Sequence, residues 1–370
     1  MKKLRPITVF VIAMCTTIAT DMANAQAADG VSVFATGFNG PRGLKFGPDR
    51  YLYVAEAGLG GTKSTIGQCP QVPTPPGPYF GGRTARVLKV APNGQQTTVV
   101  DHLPSAGTGI GGNNNAEGAA DIAFIGDDLY VLIAGGGCSH GNPDFPASVI
   151  RVNRHNGTWK LVADLSAFFA AHPVAHPNPG DFEPDGTLFS MVAVHHKLYA
   201  IEPNQGPLIE INPENGKVRQ LVDFSASQGH IVPTAVVFDG VFRVGNLSTF
   251  PVVPGSAKIL DVTKRGRITD EITGFTAITG LALDRDDHLY ALELSTLPGR
   301  PTPGSGKLVV LEDGQIEEIL TGLTLPAGNM ALGPNGGLYL SSFSAVPTPG
   351  AGQIVRVQVG ALEDSDTDDD

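Results

Sequence analysis

Helical periodicity is almost missing from this chain. Long apolar runs at a 3.6-residue spacing are nearly absent, which excludes a helix bundle. Positive charge is scarce as well. The chain has 25 Lys and Arg against 36 Asp and Glu. That acidic balance excludes nucleic acid as a partner, because binding it needs clustered cations to displace counterions. After the first 25 residues no segment is apolar enough to span a bilayer, so no transmembrane anchor is expected in the mature chain. What is plentiful is Gly 47 and Pro 29, beside a hydrophobic fraction of 41%. That mixture suits many short strands joined by tight turns.

The first residues read as an export signal. Lys2, Lys3 and Arg5 precede an apolar stretch from Ile7 to Ala19, and Ala23-Asn24-Ala25 is a small-x-small cleavage site. Residues 1–25 are therefore expected to leave, and a secreted or periplasmic location follows. Cleavage removes three of the basic residues and one acidic residue, so the net charge of −11 becomes −13. Residues 361–370 are an acidic tail, expected to be disordered. Residues 26–360 form one domain.

A repeat runs through that domain. Its clearest marker is a second strand that reads Leu52-Tyr53-Val54, Leu129-Tyr130-Val131, Leu198-Tyr199-Ala200, Val241-Phe242-Arg243, Leu289-Tyr290-Ala291 and Leu338-Tyr339-Leu340. Six markers, the last three spaced by 40-odd residues, predict a six-bladed β-propeller of four-stranded blades, an all-β fold. Asn-Gly and Asp-Gly pairs such as Asn93-Gly94, Asn156-Gly157, Asn215-Gly216 and Asp313-Gly314 supply the turns between third and fourth strands. The last unit lacks a fourth strand. Residues 31–37 resemble a fourth strand, so the N-terminal strand is expected to pair with residues 352–358 and close the ring.

Strand direction then sorts the loops. One face carries only tight turns. The other carries segments 57–84, 104–120, 135–147, 165–189, 246–256, 295–305 and 343–351, and long loops on a rigid scaffold are where function concentrates. Glu56, Asn204, Asn246 and Glu293 follow second strands, while Asn113, Asn115, Glu117, Glu183, His230 and Asn329 precede first strands. All ten are candidate ligand-binding residues at the channel mouth. Carboxylates there suit a hard divalent cation such as calcium, with Glu56, Glu117 and Glu293 as its ligands. Six-bladed sugar-lactone hydrolases use such a centre, an analogy of fold. The same groups would otherwise bond to backbone or channel water.

Other motifs carry less. Residues 107–112 match G-x-G-x-x-G but run into asparagines, with no helix to receive a pyrophosphate. His172 and His176 are each followed by proline, which rules out a helical zinc pair. No G-x-S-x-G elbow is present. Asn156-Gly157-Thr158 and Asn246-Leu247-Ser248 are glycosylation sequons, relevant only in a eukaryotic host. Cys15 leaves with the leader, so Cys69 and Cys138 remain. They lie in equivalent loops of adjacent blades, and a disulfide between them is expected.

Gly40-Pro41-Arg42-Gly43-Leu44, the strand Leu52 to Gly58, the loop Pro75 to Gly82 and Asn113-Asn114-Asn115-Ala116-Glu117-Gly118 together resemble the ScyD/ScyE family, named for biosynthesis of the pigment scytonemin. The resemblance spans nearly the whole mature chain. It implies a secreted propeller of unproven biochemical role, and brings no catalytic motif with it. Two functions follow: binding of a small molecule, glycan or protein through the long-loop face, or, alternatively, metal-dependent hydrolysis of a lactone at the channel mouth.

Overall fold

The computed structural model describes residues 30–74, 76–108, 114–345 and 348–359. Residues 1–25, the tail 361–370 and Asn113 lie outside them. The described chain forms six antiparallel sheets. Strand β1 (Val31–Phe38) comes first but belongs to the last blade. Blade 1 holds β2 (Pro41–Phe46), β3 (Leu52–Glu56), β4 (Tyr79–Val90), β5 (Gln96–Thr108) and β6 (Asn114–Glu117). Blade 2 holds β7 (Ala119–Ile125), β8 (Asp128–Ile133), β9 (Ser148–Val152) and β10 (Trp159–Asp164). Blade 3 holds β11 (Ser190–Val194), β12 (Lys197–Ile201), β13 (Pro207–Ile211) and β14 (Val218–Asp223). Blade 4 holds β15 (Pro233–Phe238), β16 (Phe242–Asn246), β17 (Ala257–Val262) and β18 (Ile268–Phe275). Blade 5 holds β19 (Ile278–Leu283), β20 (Leu289–Glu293), β21 (Gly306–Glu312) and β22 (Gln315–Leu323). Blade 6 holds β23 (Met330–Leu332), β24 (Gly337–Ser342) and β25 (Gly352–Gln358), with β1 as its outer strand. First strands of successive blades pack together, and β23 meets β2, so the ring closes.

The Leu-Tyr marker explains the packing. Its Leu is buried against one neighbouring blade and its aromatic against the other, as Leu52 and Tyr53 are. Blade 4 departs from the expected marker by one residue: Phe242 stands at the Leu register and Arg243 at that of the aromatic. Tyr53 meets Phe124, Tyr199 meets Phe242 and Tyr339 meets Phe46, with ring centroids 4.5–5.1 Å apart. The phenol tips stay satisfied at the edge of this layer. Tyr53 and Tyr290 donate to the turn carboxyls of Asp49 and Asp284, each at 2.9 Å. The glycines of the turns between third and fourth strands, three of them Asn-Gly and one Arg265-Gly266, have a second purpose beyond positive φ. A Cβ on Gly94, Gly157, Gly216 or Gly266 would sit 2.8, 2.8, 2.4 or 2.1 Å from a carbonyl oxygen of the preceding blade's outer strand. Only glycine lets these turns press against that blade.

Closure follows the expected pairing. Val31 faces Val357, Val33 faces Val355 and Phe38 faces Gly352. Phe38 is fully buried, in a cluster with Leu44, Leu52, Leu88 and Ile354 that spans blades 6 and 1.

Three segments differ from the expected loops. Residues 79–84 extend β4, and part of segment 104–120 is a hairpin in which Ala106 pairs with Glu117 and Thr108 with Asn114. Blade 1 therefore has five strands. Within segment 165–189, α1 (Leu165–Ala171) is capped by Asp164, which accepts from Ala167 N at 2.8 Å, and ends at His172 before Pro173. A short α2 (Ser225–Gln228) follows β14. Among the described residues no helix is long and apolar enough to cross a membrane.

Deletion of residues 26–37 strips blade 6 of most of its outer strand and exposes the edge of β25. The melting temperature should fall by about 10 °C or more, because the ladder to β25 is lost together with the buried Ala35 and the half-buried Val31 and Phe34, the last packed on Tyr339. A melting curve unchanged from the mature protein would contradict strand-mediated closure.

Candidate functional site at the channel mouth

The polar residues expected at the mouth fall into two groups. The first does not converge. Glu56 ends β3, is buried, accepts from Asn39 N at 2.8 Å and pairs with Arg86. Glu293, in the same place in blade 5, accepts from Thr276 N at 2.7 Å, with Lys307 Nζ at 3.7 Å. Asn246 in blade 4 accepts from Lys258 N and donates to Ile231 O, both at 2.7 Å. Blade 3 uses Glu202, whose carboxyl accepts backbone N–H groups of Thr187, Asn204 and Gln205. Each of these side chains staples the end of a second strand to the segment entering its own blade or to the third strand. Asn115 is exposed on β6 at φ 48°.

The second group does converge, around blades 1, 2, 3 and 6. Arg42, at the start of β2, donates to Ala327 O and Ala116 O at 2.8 Å each and lies 3.4 Å from Glu117 Oε1. Its Nε is buried without a hydrogen-bond partner. A cavity of about 10 Å³ beside it is lined by Arg42, Glu117, Leu188, Phe189 and Asn329 among others. Glu183 meets His140 Nε2 at 3.0 Å. Asp181 accepts from Asn204 Nδ2 and meets His230 Nε2, both at 2.9 Å. Asn329 donates to Asp121 Oδ2 and Ser190 Oγ at 3.4 Å each. Glu117, Glu183, Asn204, His230 and Asn329 are thus gathered here, joined by Arg42, Tyr79, Asp121, His140 and Asp181, which sequence reasoning missed.

His140 is the most constrained of these. It is fully buried, against the ring of Tyr79 at 4.8 Å. Ser139 Oγ donates to Asp185 Oδ2 at 2.6 Å, so its contact with His140 Nδ1 at 3.2 Å requires an N–H on that nitrogen. With Nε2 facing the Glu183 carboxyl at 3.0 Å, the partners around the ring favour a proton on both nitrogens. Burial lowers the histidine's pKa, but the bond to Glu183 more than reverses this and the net shift is upward. Its loop is held twice. Cys138, two residues before it, forms a disulfide with Cys69, with Cα atoms 6.3 Å apart. Gly137 has φ +100° and passes so close to Asp185 that a Cβ would lie 2.1 Å from its Cγ.

Burial raises two acids here. It pushes Glu117 above the usual range against the pull of Arg42, and Asp121 up to about 6 despite N–H groups from Met191 and Ile122. Tyr79 is pushed well above its ordinary value by burial and by Glu183 and Glu117. Among the described residues no group of three or more His, Cys, Asp or Glu side chains has the arrangement of a metal site. Glu56, Glu117 and Glu293 lie in separate places, and the mouth carboxyls Glu117, Glu183 and Asp181 each have a cationic, imidazole or amide partner already.

No protein-family model matches the chain, and no curated protein matches it. Solved structures do share the fold. A Bacteroides thetaiotaomicron protein of unknown function is 12% identical, covering 89% of this chain and 75% of its own, with a TM-score of 0.54. A Xanthomonas campestris gluconolactonase, described as important in glucose secondary metabolic pathways, is 10% identical over 88% of each chain, at 0.52. A luciferin-regenerating enzyme is 12% identical over 89% of this chain and 95% of its own, at 0.51. At such identities the likeness shows the six-bladed propeller and nothing finer.

The raised acids set the pH dependence of stability. Burial pushes Glu293 and Glu202 up to about 7. Each binds a proton in the folded state that the unfolded chain has released above pH ~4.5, so stability falls as pH rises from there through about 7. Glu117, Asp121 and His140 act with the same sign. Asp49, Glu210 and Asp284 act oppositely: partial burial raises them, bonds from Lys89, Arg219 and His288 more than reverse it, and their contribution is lost in acid. The melting temperature should peak near pH ~5 and fall by several degrees towards pH ~8. Glu293→Gln, which keeps an acceptor for Thr276 N, should flatten that fall. A melting temperature that rises steadily from pH ~5 to ~8 would contradict the assignment.

Proposed function

We propose that the channel mouth on the long-loop face is the working site, that it takes a small polar organic molecule, and that its chemistry is hydrolysis of an ester or lactone. The observation that carries this is the meeting of Glu117 with the unpaired, buried Nε of Arg42 at a cavity of about 10 Å³. A cavity of that size takes roughly one water, and a buried donor without a protein partner calls for one. Glu117, raised by burial above the ordinary carboxylate range, is suited to take a proton from that water as it attacks a carbonyl carbon. The Arg42 guanidinium stands beside it to stabilise the developing oxyanion, whose collapse breaks the acyl C–O bond while the proton taken by Glu117 passes to the leaving alkoxide oxygen. Phe189 supplies an apolar wall to the same cavity.

The likeness to a gluconolactonase supports a lactone as the substrate class. The export signal read in residues 1–25, together with the disulfide, supports action outside the cytoplasm. The ScyD/ScyE resemblance supports a secreted propeller and is silent on reaction; under that reading the same residues bind a ligand without turnover. A calcium centre fits poorly, because a cation would have to displace Arg42 from Glu117 and His140 from Glu183. No step here is routed through one.

The test is hydrolysis of glucono-δ-lactone and simple aryl esters by the mature protein, followed by pH-stat. Activity should rise with pH through a value above the ordinary carboxylate range. Glu117→Gln should lower kcat/KM by about a hundredfold or more in protein that still melts cooperatively. Binding of these compounds by calorimetry with no turnover would overturn hydrolysis in favour of binding alone. A melting temperature raised by calcium, and no longer raised in Glu117→Gln, would restore the metal reading.

A further inference from the structure

The chain has one tryptophan, Trp159, and it is 44% exposed. It opens β10, the outer strand of blade 2, next to the tight turn from β9. This is the end of the blade away from the long loops. Here a groove of about 380 Å³ separates that turn from β5 of blade 1, and its lining includes Thr98, Asp101, Arg154, Asn156 and Trp159. The volume is ordinary for a small-ligand site. No other blade starts its outer strand with an aromatic residue.

The walls are rigid and their polar atoms are already oriented. Phe145 supports the indole, with ring centroids 4.9 Å apart. Arg154 is fixed by Asp127 Oδ1 at 3.1 Å and by Asp49 Oδ2 at 3.6 Å, so its charge is compensated within the protein. Asn156 Oδ1 accepts from Thr158 N at 3.0 Å and from Thr158 Oγ1 at 2.7 Å, leaving the amide nitrogen as a free donor. Asp101 uses Oδ1 for His102 at 2.8 Å, and Oδ2 has no partner among the described residues. Thr98 adds an exposed hydroxyl.

We infer that this groove is a second, separate binding site, for a neutral saccharide. A flat, supported aromatic surface offers stacking to the C–H face of a pyranose ring. Around it stand one amide donor, one carboxyl acceptor and one hydroxyl, the set that matches adjacent sugar hydroxyls. The compensated Arg154 and the acidic Asp101 disfavour an anion. Leu161, on the same strand and 47% exposed, raises the competing case of an apolar contact between two copies of the chain.

The single tryptophan makes the test specific, because all indole emission comes from the site. The mature protein is made in a bacterial host, so that the Asn156 sequon stays bare. It is titrated with maltotriose, cellotriose and sodium glucuronate up to tens of millimolar. Either trisaccharide should shift the emission saturably and protect it from iodide quenching. Asp101→Asn and Asn156→Ala should each weaken binding about tenfold with unchanged melting temperature, and Trp159→Ala should abolish it by calorimetry. Glu117→Gln should leave it intact, which separates this site from the mouth. No saturable change with either trisaccharide, tighter binding of glucuronate, or an emission shift that follows protein concentration and dimerisation in the ultracentrifuge would each overturn the inference.

Discussion

Ring closure is the constraint on which everything else in this protein depends. Each blade buries its aromatic marker against a neighbour, so no blade has a complete core until six are joined. The joint is made by β1 pairing with β25, which leaves Phe38 fully buried where blades 6 and 1 meet. Once closed, the ring fixes where the entering segments of the blades can go. The turns of Gly157 and Gly216 are pressed against the preceding blade on one side. On the other side, residues 116–117, 181–188 and 327–329 are brought to one mouth. Residues as distant in sequence as Arg42 and Ala327 then share a hydrogen bond.

At that mouth the protein pairs charge rather than leaving it open. Arg42 joins Glu117, His140 joins Glu183, and His230 joins Asp181. Such pairs are expensive to bury, and one partner removed leaves the other uncompensated. They define a rigid polar wall in which the buried Arg42 Nε has no partner among the described residues. The disulfide adds to this by holding the loop that carries Ser139 and His140 against blade 1. Rigidity of this kind suits orientation of a small ligand far better than capture of a flexible one.

The fold was legible because its signals are local and repeated. A Leu-Tyr strand, an Asn-Gly turn and a missing last strand can each be read within a few residues, and the equivalence of the Cys69 and Cys138 loops follows from counting strands. The mouth was only partly legible, for a physical reason. Glu56, Asn246 and Glu293 recur at one position of the repeat, with Glu202 in blade 3, and recurrence in four of the six blades marks a structural duty; blades 2 and 6 have Ile133 and Ser342 there. The residues that gather at the mouth break the repeat. Arg42 occupies the place held by Ala120, Thr234 and Thr279 in other blades, as the strand registers show. Thr234 and Thr279 each donate to a carbonyl at the entrance to the next blade, at 2.6 Å. Arg42 does the same to Ala116 and adds a charge. The departures from the repeat, more than its polar residues, were the better guide. His140 gave no such sign, since its burial depends on a loop crossing between two blades.

The central claim is that the mouth is built on a buried, fully protonated His140 clamped between Glu183 and Ser139. Nitrogen-15 NMR of the histidine-labelled chain from residue 26 onward, with His140→Gln for assignment, tests it directly. At neutral pH both ring nitrogens of His140 should show the shifts of protonated imidazolium, with slow exchange and a titration above the ordinary histidine range. A neutral ring at pH ~7, with one nitrogen unprotonated, would contradict the account.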